Sequence, residues 1–107
     1  MTVLCPADQL VAGRATLVRR SQTESVILVR LADGGVVAWR NACPHMGIEL
    51  DWDAARLLTR DGRFLRCTGH DAWFQAATGV CVRGPCRGEV LTPVAVQIVD
   101  DQVRLAV

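Results

Sequence analysis

The sequence has no tyrosine, only two phenylalanines and only two histidines in 107 residues. Its other shortages narrow the class further. No apolar run approaches the roughly 18–20 residues of a membrane-spanning helix, and runs such as Val26-Ile27-Leu28-Val29 stop at four. The first residues, Met1-Thr2-Val3-Leu4-Cys5-Pro6-Ala7-Asp8, have neither the basic stretch nor the apolar stretch of a secretory leader. An excess of one charge is also missing, since 12 basic and 11 acidic side chains give a formal net charge of +1. That balance leaves no basic face or polybasic tail, which argues against nucleic acid or an anionic membrane as a partner. With 21% charged and 50% hydrophobic residues, the chain is not of the disordered class. No linker, internal repeat or low-complexity stretch divides it, and its length predicts one domain over residues 1–107. The expectation is a soluble, cytoplasmic protein.

Five cysteines stand against these shortages. An odd number cannot all enter a closed disulfide framework. In a reducing compartment, clustered cysteine points to metal binding or catalysis rather than to disulfides. Four of the five, and both histidines, fall between Cys43 and Cys86.

The flanks of that region read as β-structure. Arg14–Arg19 and Ser25–Leu31 are short and partly β-branched, and Asp33-Gly34-Gly35 separates the second from Val36–Arg40 in the manner of a hairpin. Val94–Val99 and Val103–Val107, around Asp100-Asp101-Gln102, predict another hairpin. Arg63–Arg66 and Ala72–Gln75 are shorter strand candidates. Helix signals are confined to a turn at Asp8–Leu10 and a short helix at Trp52–Leu58 with Asp51 as cap. Many short strands at close spacing predict an all-β fold of antiparallel sheets stacked as a sandwich. The segments Cys43–Gly47, Cys67–His70 and Gly79–Cys86 read as turns, where a rigid scaffold commonly displays functional groups.

The sharpest pattern is Cys43-x-His45, then 21 residues, then Cys67-x-x-His70. Each loop offers one thiolate and one imidazole. Two soft thiolates with two imidazoles suit an iron–sulfur cluster, and the same four donors could make a structural zinc site. Zinc sites usually pair cysteine with cysteine in one loop, unlike the alternation here. Two ordinary core histidines would not explain why both follow a cysteine.

The pattern resembles the Rieske type of [2Fe–2S] protein, in which two cysteines bind one iron and two histidines the other. The likeness is to small, low-potential, bacterial oxygenase ferredoxins, and it spans an N-terminal strand region, two ligand loops, a Gly84-Pro85 loop and a closing hairpin. It implies a sandwich with a cluster-binding subdomain whose loops run over about 41–48 and 66–73, and one cluster on Cys43, His45, Cys67 and His70. It implies one-electron transfer from a flavoprotein reductase to a terminal oxygenase. Two alternatives stand beside it: a small Rieske subunit of a larger reductase of the nitrite reductase type, and a structural zinc module. The chain is expected to be a carrier and not an enzyme. A catalytic oxygenase subunit needs a further iron on two more histidines and a carboxylate, and both histidines are already committed.

Departures from the family pattern carry information. In high-potential relatives a disulfide braces the loops, and this chain has Ile48 and Gly69 at those positions. The serine and tyrosine hydroxyls that bond the cluster correspond to Ala72 and Phe74. The expected potential therefore falls at the low end of about −150 to +300 mV. Gly47 and Gly69 would let backbone amides approach sulfur. Asp71 stands where glycine is common, and is expected to point to solvent. Cys81 and Cys86, flanking Gly84-Pro85, are expected to be semi-buried fillers, with pairing or redox sensitivity as the alternative. Cys5 is expected in a strand, and Trp39, Trp52 and Trp73 as packing residues. Met46 and Ile48 could form an apolar docking rim beside the outer iron, with Arg83 and Arg87 supplying charge.

Overall fold

The computed structural model describes residues 3–44, 49–50, 54–67 and 71–106. The run Val26-Ile27-Leu28-Val29 organises the fold. It lies in strand β3 (Ser25–Arg30), whose residues from Ser25 to Val29 are all buried. Side chains alternate along a strand, so Ile27 and Val29 enter one apolar cluster while Val26 and Leu28 enter another. A strand with two apolar faces must be covered on both. Sheets above and below the central one supply the cover.

The central sheet is β2 (Ala15–Arg19), β3 and β4 (Val36–Arg40), in that order. One outer sheet holds β1 (Val3–Pro6) and, from the chain's other end, β8 (Val96–Val99) and β9 (Gln102–Leu105), in the order β1-β9-β8. The other is β5 (Phe64–Cys67), β6 (Ala72–Gln75) and β7 (Cys81–Arg83). Every named strand pair is antiparallel. A short helix, α1 (Ala54–Leu57), seats Leu57 in the core between the central sheet and β5-β6-β7. The expected all-β sandwich is thus a stack of three small sheets.

The predicted hairpins form. Val26 to Arg30 pair with Arg40 to Val36 across the Asp33-Gly34-Gly35 turn, and Asp33 Oδ1 accepts the Gly35 amide at 2.8 Å. The β8–β9 turn is tighter than the sequence implied. Val99 pairs directly with Gln102, leaving Asp100 and Asp101 as a two-residue loop with φ of 53° and 60°. Both values fit the turn type whose twist matches a hairpin, and aspartate tolerates them.

Two expectations need correction. Cys81–Arg83 is a strand, not a turn: Phe74 pairs with Cys81 and Trp73 with Arg83. Four residues between Gly79 and Gly84 are too few for alternation to show. Cys67 likewise is a strand residue, ending β5 opposite Ala72. The N-terminal turn is a 3-10 turn over Ala7–Gln9. Trp52 and Asp51 lie outside the described residues, and the helix is described over four residues.

Candidate metal centre

Four cysteines far apart in sequence share one layer. Cys43, Cys67, Cys81 and Cys86 are 2%, 1%, 1% and 2% exposed, all within the core between the central sheet and β5-β6-β7. Cys5 occupies the opposite layer with Val26, Leu28 and Val103. None of the five is in a disulfide.

Each sequence-predicted ligand cysteine sits at the root of a loop. Cys43 follows β4 by three residues. Cys67 closes β5 and its ladder partner Ala72 opens β6, so the two ends of the second loop are pinned to each other. His45 and His70 lie outside the described residues, as do Met46, Gly47, Ile48, Thr68 and Gly69. The structure thus brings the two cysteines into one buried cluster. This arrangement suits soft sulfur donors to a metal or cluster, held where the sheets exclude water from the sulfur side.

The first loop has a fastening that the sequence reading missed. Asn41 is 4% exposed and uses its side chain in two directions. Its Nδ2 donates to Ser25 Oγ at 3.0 Å, and its Oδ1 accepts the Leu50 amide at 2.8 Å. Ser25 Oγ in turn donates to Glu49 Oε2 at 3.0 Å, which also receives Arg19 at 2.9 Å. Residues 41 and 50, on either side of the first loop, are therefore tied together and to the start of β3. The only signal in the sequence was an asparagine two residues before Cys43, whose burial the sequence does not disclose. Asn41→Ala removes the side-chain acceptor of the Leu50 amide and one of the two bonds of the Ser25 hydroxyl. We expect it to lower the unfolding free energy by about 1–3 kcal/mol, read from urea denaturation, with Asn41→Asp losing less because the acceptor for the Leu50 amide survives.

The second fastening is the loop after β7. The Cys81 amide donates to Glu89 O at 2.8 Å, Gly88 N to Cys81 O at 3.0 Å, and Glu89 N to Cys86 O at 2.9 Å. Within it Gly84 has φ +106°, and a Cβ built there would lie 2.8 Å from Ala72 Cα. The Gly84-Pro85 turn therefore presses on the strand that leaves the second loop. Cys81 and Cys86 are not semi-buried fillers as expected. Both are fully buried, with their sulfurs 3.0 Å apart, and Cys81 Sγ donates to Arg83 O at 3.2 Å. Burial, then the Cys81 sulfur and then Cys43, push the Cys86 thiol up to about 12. Cys86 is thus a protonated donor at neutral pH, unlike a ligand thiolate.

Asp71 points to solvent as expected, its side chain 70% exposed. Its φ is +53°, a left-handed conformation that glycine supplies without strain and aspartate tolerates. The carboxylate is exposed but engaged. It accepts from Trp73 Nε1 at 3.3 Å and pairs with Arg83 at 3.6 Å, while Arg83 lies over the Trp73 ring at 5.3 Å. Trp73 in turn contacts Phe64, with ring centroids 5.5 Å apart. Trp39 is a core residue as expected, 6% exposed, with Nε1 donating to Ala76 O at 3.0 Å. Ala72 and Phe74 are fully buried at the positions where the resemblance places hydroxyl donors.

Comparison with known proteins agrees with this geometry. The family described as the Rieske [2Fe-2S] domain matches residues 1–100. The oxidoreductase NdmD of Pseudomonas putida is 34% identical over 65 residues; the match covers 61% of this chain and 10% of that protein, so the chain spans about a tenth of its length. Among solved structures, the ferredoxin of carbazole 1,9a-dioxygenase from Nocardioides aromaticivorans superposes with a TM-score of 0.74 at 24% identity, covering 98% of this chain and 95% of its own. A chain from Mycobacterium tuberculosis, named as an NADH-dependent nitrite reductase small subunit, superposes with a TM-score of 0.65 at 25% identity, covering 99% and 96%. No helix among the described residues is long and apolar enough to cross a membrane.

Proposed function

The chain belongs to the Rieske [2Fe-2S] domain family, and from that premise we propose that it is a one-electron carrier whose cluster is held by Cys43 and Cys67 on one iron and by His45 and His70 on the other. The observation that carries the ligand assignment is the meeting of Cys43 and Cys67 in one water-excluded layer, each at the root of a Cys/His loop. The bound cluster supplies a site that accepts and returns a single electron. The chain's own part is to bury the sulfur side, to fasten the loops through Asn41 and the Gly84-Pro85 turn, and to leave the histidine side for partners.

Residues 1–107 act in this reading as one Rieske domain. Its redox partners are a terminal oxygenase, by analogy with the carbazole dioxygenase ferredoxin, and a flavoprotein reductase, as the sequence resemblance implies. The second reading, a small subunit of a nitrite reductase, is favoured by the 25% identical M. tuberculosis chain. Stable co-purification with a large flavin- or haem-containing protein selects it over the free carrier. Five cysteines without a disulfide suit a reducing compartment such as the cytoplasm. With both histidines assigned to the cluster, the chain has no imidazole left for substrate chemistry of its own.

Low-temperature electron paramagnetic resonance on the dithionite-reduced protein tests the ligand set. Mixed nitrogen and sulfur ligation should give a lower average g value than an all-thiolate cluster gives. A colourless protein with one zinc per chain would instead establish the structural zinc module.

The Asp71–Arg83 pair yields a prediction about potential. A carboxylate next to His70 disfavours added negative charge, and the guanidinium opposes it. An exposed pair is worth at most about 1 kcal/mol, or about 40 mV for one electron on the scale where tenfold is about 59 mV. Arg83→Gln should therefore lower the midpoint by a few tens of mV, and Asp71→Gly should move it less in the opposite direction. Film or solution voltammetry reads both; a drop after Asp71→Gly would place the carboxylate's influence elsewhere.

A further inference from the structure

Cys81 and Cys86 lie outside the proposed ligand set, yet they are neither separate nor at the surface. Their sulfurs are 3.0 Å apart in the core. A disulfide needs about 2.05 Å, so closure requires an approach of about 1 Å by two side chains already in contact. The intervening backbone is held as one unit by the bonds of Cys81, Gly84, Cys86, Gly88 and Glu89. Pre-positioned thiols on a short closed loop react with each other far more readily than with separate molecules. Burial keeps large thiols away from them and admits only a small oxidant.

We propose that Cys81 and Cys86 are a peroxide-sensitive dithiol that closes to a disulfide beneath the Gly84-Pro85 turn and thereby lowers the midpoint potential of the neighbouring cluster. The step balances with hydrogen peroxide. One sulfur attacks a peroxide oxygen, the O–O bond breaks and water leaves. The second thiol then displaces hydroxide from the sulfenic acid so formed, giving the Sγ–Sγ bond and a second water. Two electrons pass from the sulfurs to the peroxide oxygens, and the two thiol protons end in water. The coupling to potential follows from position. Cys81 and Cys86 share one buried cluster with Cys43 and Cys67. In the dithiol form that layer holds two S–H donors beside the ligand sulfurs, and such outer donors favour the reduced, more negative cluster. The disulfide has no proton to give.

The coupling rests on the one-electron-carrier reading, whereas closure of the pair does not. The test uses the cluster-loaded protein, treated or untreated with hydrogen peroxide, then denatured, alkylated and digested with trypsin. Cleavage after Arg83 and Arg87 puts the two cysteines on separate peptides, so a disulfide links them, and fragmentation tells Cys81 from Cys67 on the longer one. The expected result is a Cys81–Cys86 link, reversed by dithiothreitol, formed while the visible spectrum of the cluster persists, together with a lower midpoint. Cys86→Ala should abolish the peroxide-dependent shift in midpoint, and the wild-type map stands even if that variant folds poorly. Full alkylation of both cysteines after peroxide, a link to any other cysteine, or an unchanged midpoint after closure overturns the proposal. Absence of the mixed-ligand resonance in untreated protein instead overturns the functional reading, and the peptide map still reports on the pair.

Discussion

Cys43→Ala and Cys67→Ala proteins should each emerge without colour, with iron and acid-labile sulfide at background, while Cys5→Ala retains the full complement. Removing an outer partner of a metal ligand already costs about 10–100-fold in affinity, and removing a ligand outright should exceed that. The contrast with Cys5 isolates chemistry from packing. All three cysteines are buried, and each substitution deletes one heavy atom, a loss comparable to the about 0.5–1.5 kcal/mol of Ile→Val. Circular dichroism of the three metal-free chains should therefore be alike. Cys5 belongs to the layer formed with Val26, Leu28 and Val103, whereas Cys43 and Cys67 share the other face of the central sheet. Retention of iron and sulfide in the Cys67→Ala protein would remove the second loop from the metal centre, and with it the pairing of the two loops.

The parts of this molecule that were legible in the sequence are those whose signal is local. Cys43-x-His45 and Cys67-x-x-His70 carry their ligand types and spacing within a few residues. The hairpin around Asp33-Gly34-Gly35 carries its turn residues between two β-branched runs. What was not legible depends on which face of which strand meets another. Val26–Val29 read as a strand, but a four-residue apolar run does not disclose that it is covered on both sides. Cys81-Val82-Arg83 is a strand only because β6 offers it partners. Asn41 looks like an ordinary polar residue after a strand until Ser25 and Leu50 are placed on either side of it. The contact between Cys81 and Cys86 had the same cause: a separation of five residues says nothing about loop closure until the backbone bonds around Gly84 are known. Asp71 was partly legible. Its place at a position usually held by glycine is explained by φ +53°, but its engagement by Trp73 and Arg83 depended on the β6–β7 register.

The glycine that presses the last loop onto the site gives the second large expected effect. Gly84→Ala should lower the unfolding free energy by about 2–5 kcal/mol, composed of about 1–3 for a side chain forced into a sparsely allowed conformation and about 1–3 for overpacking. A smaller unfolded-state entropy returns a few tenths to about 1. The overpacking is severe because of what the new methyl meets. At φ +106°, its Cβ would stand 2.8 Å from Ala72 Cα and 3.0 Å from Ala72 Cβ, and a strand backbone paired to Cys67 has no alternative rotamer to adopt. Gly13→Ala supplies the control, since its φ of +84° imposes conformational strain with nothing within 4 Å of the added atom. The difference between the two variants in urea denaturation therefore measures the packing of the turn against β6. The loop that must move also holds Cys86 against Cys81, in the buried cluster that contains Cys43. In the cluster-loaded protein, Gly84→Ala should thus hasten bleaching by a chelator, and Gly13→Ala should not. Equal stability of the two variants would mean that the Gly84-Pro85 turn does not rest on Ala72, and the fastening of the second ligand loop would have to be sought within residues 68–71 themselves.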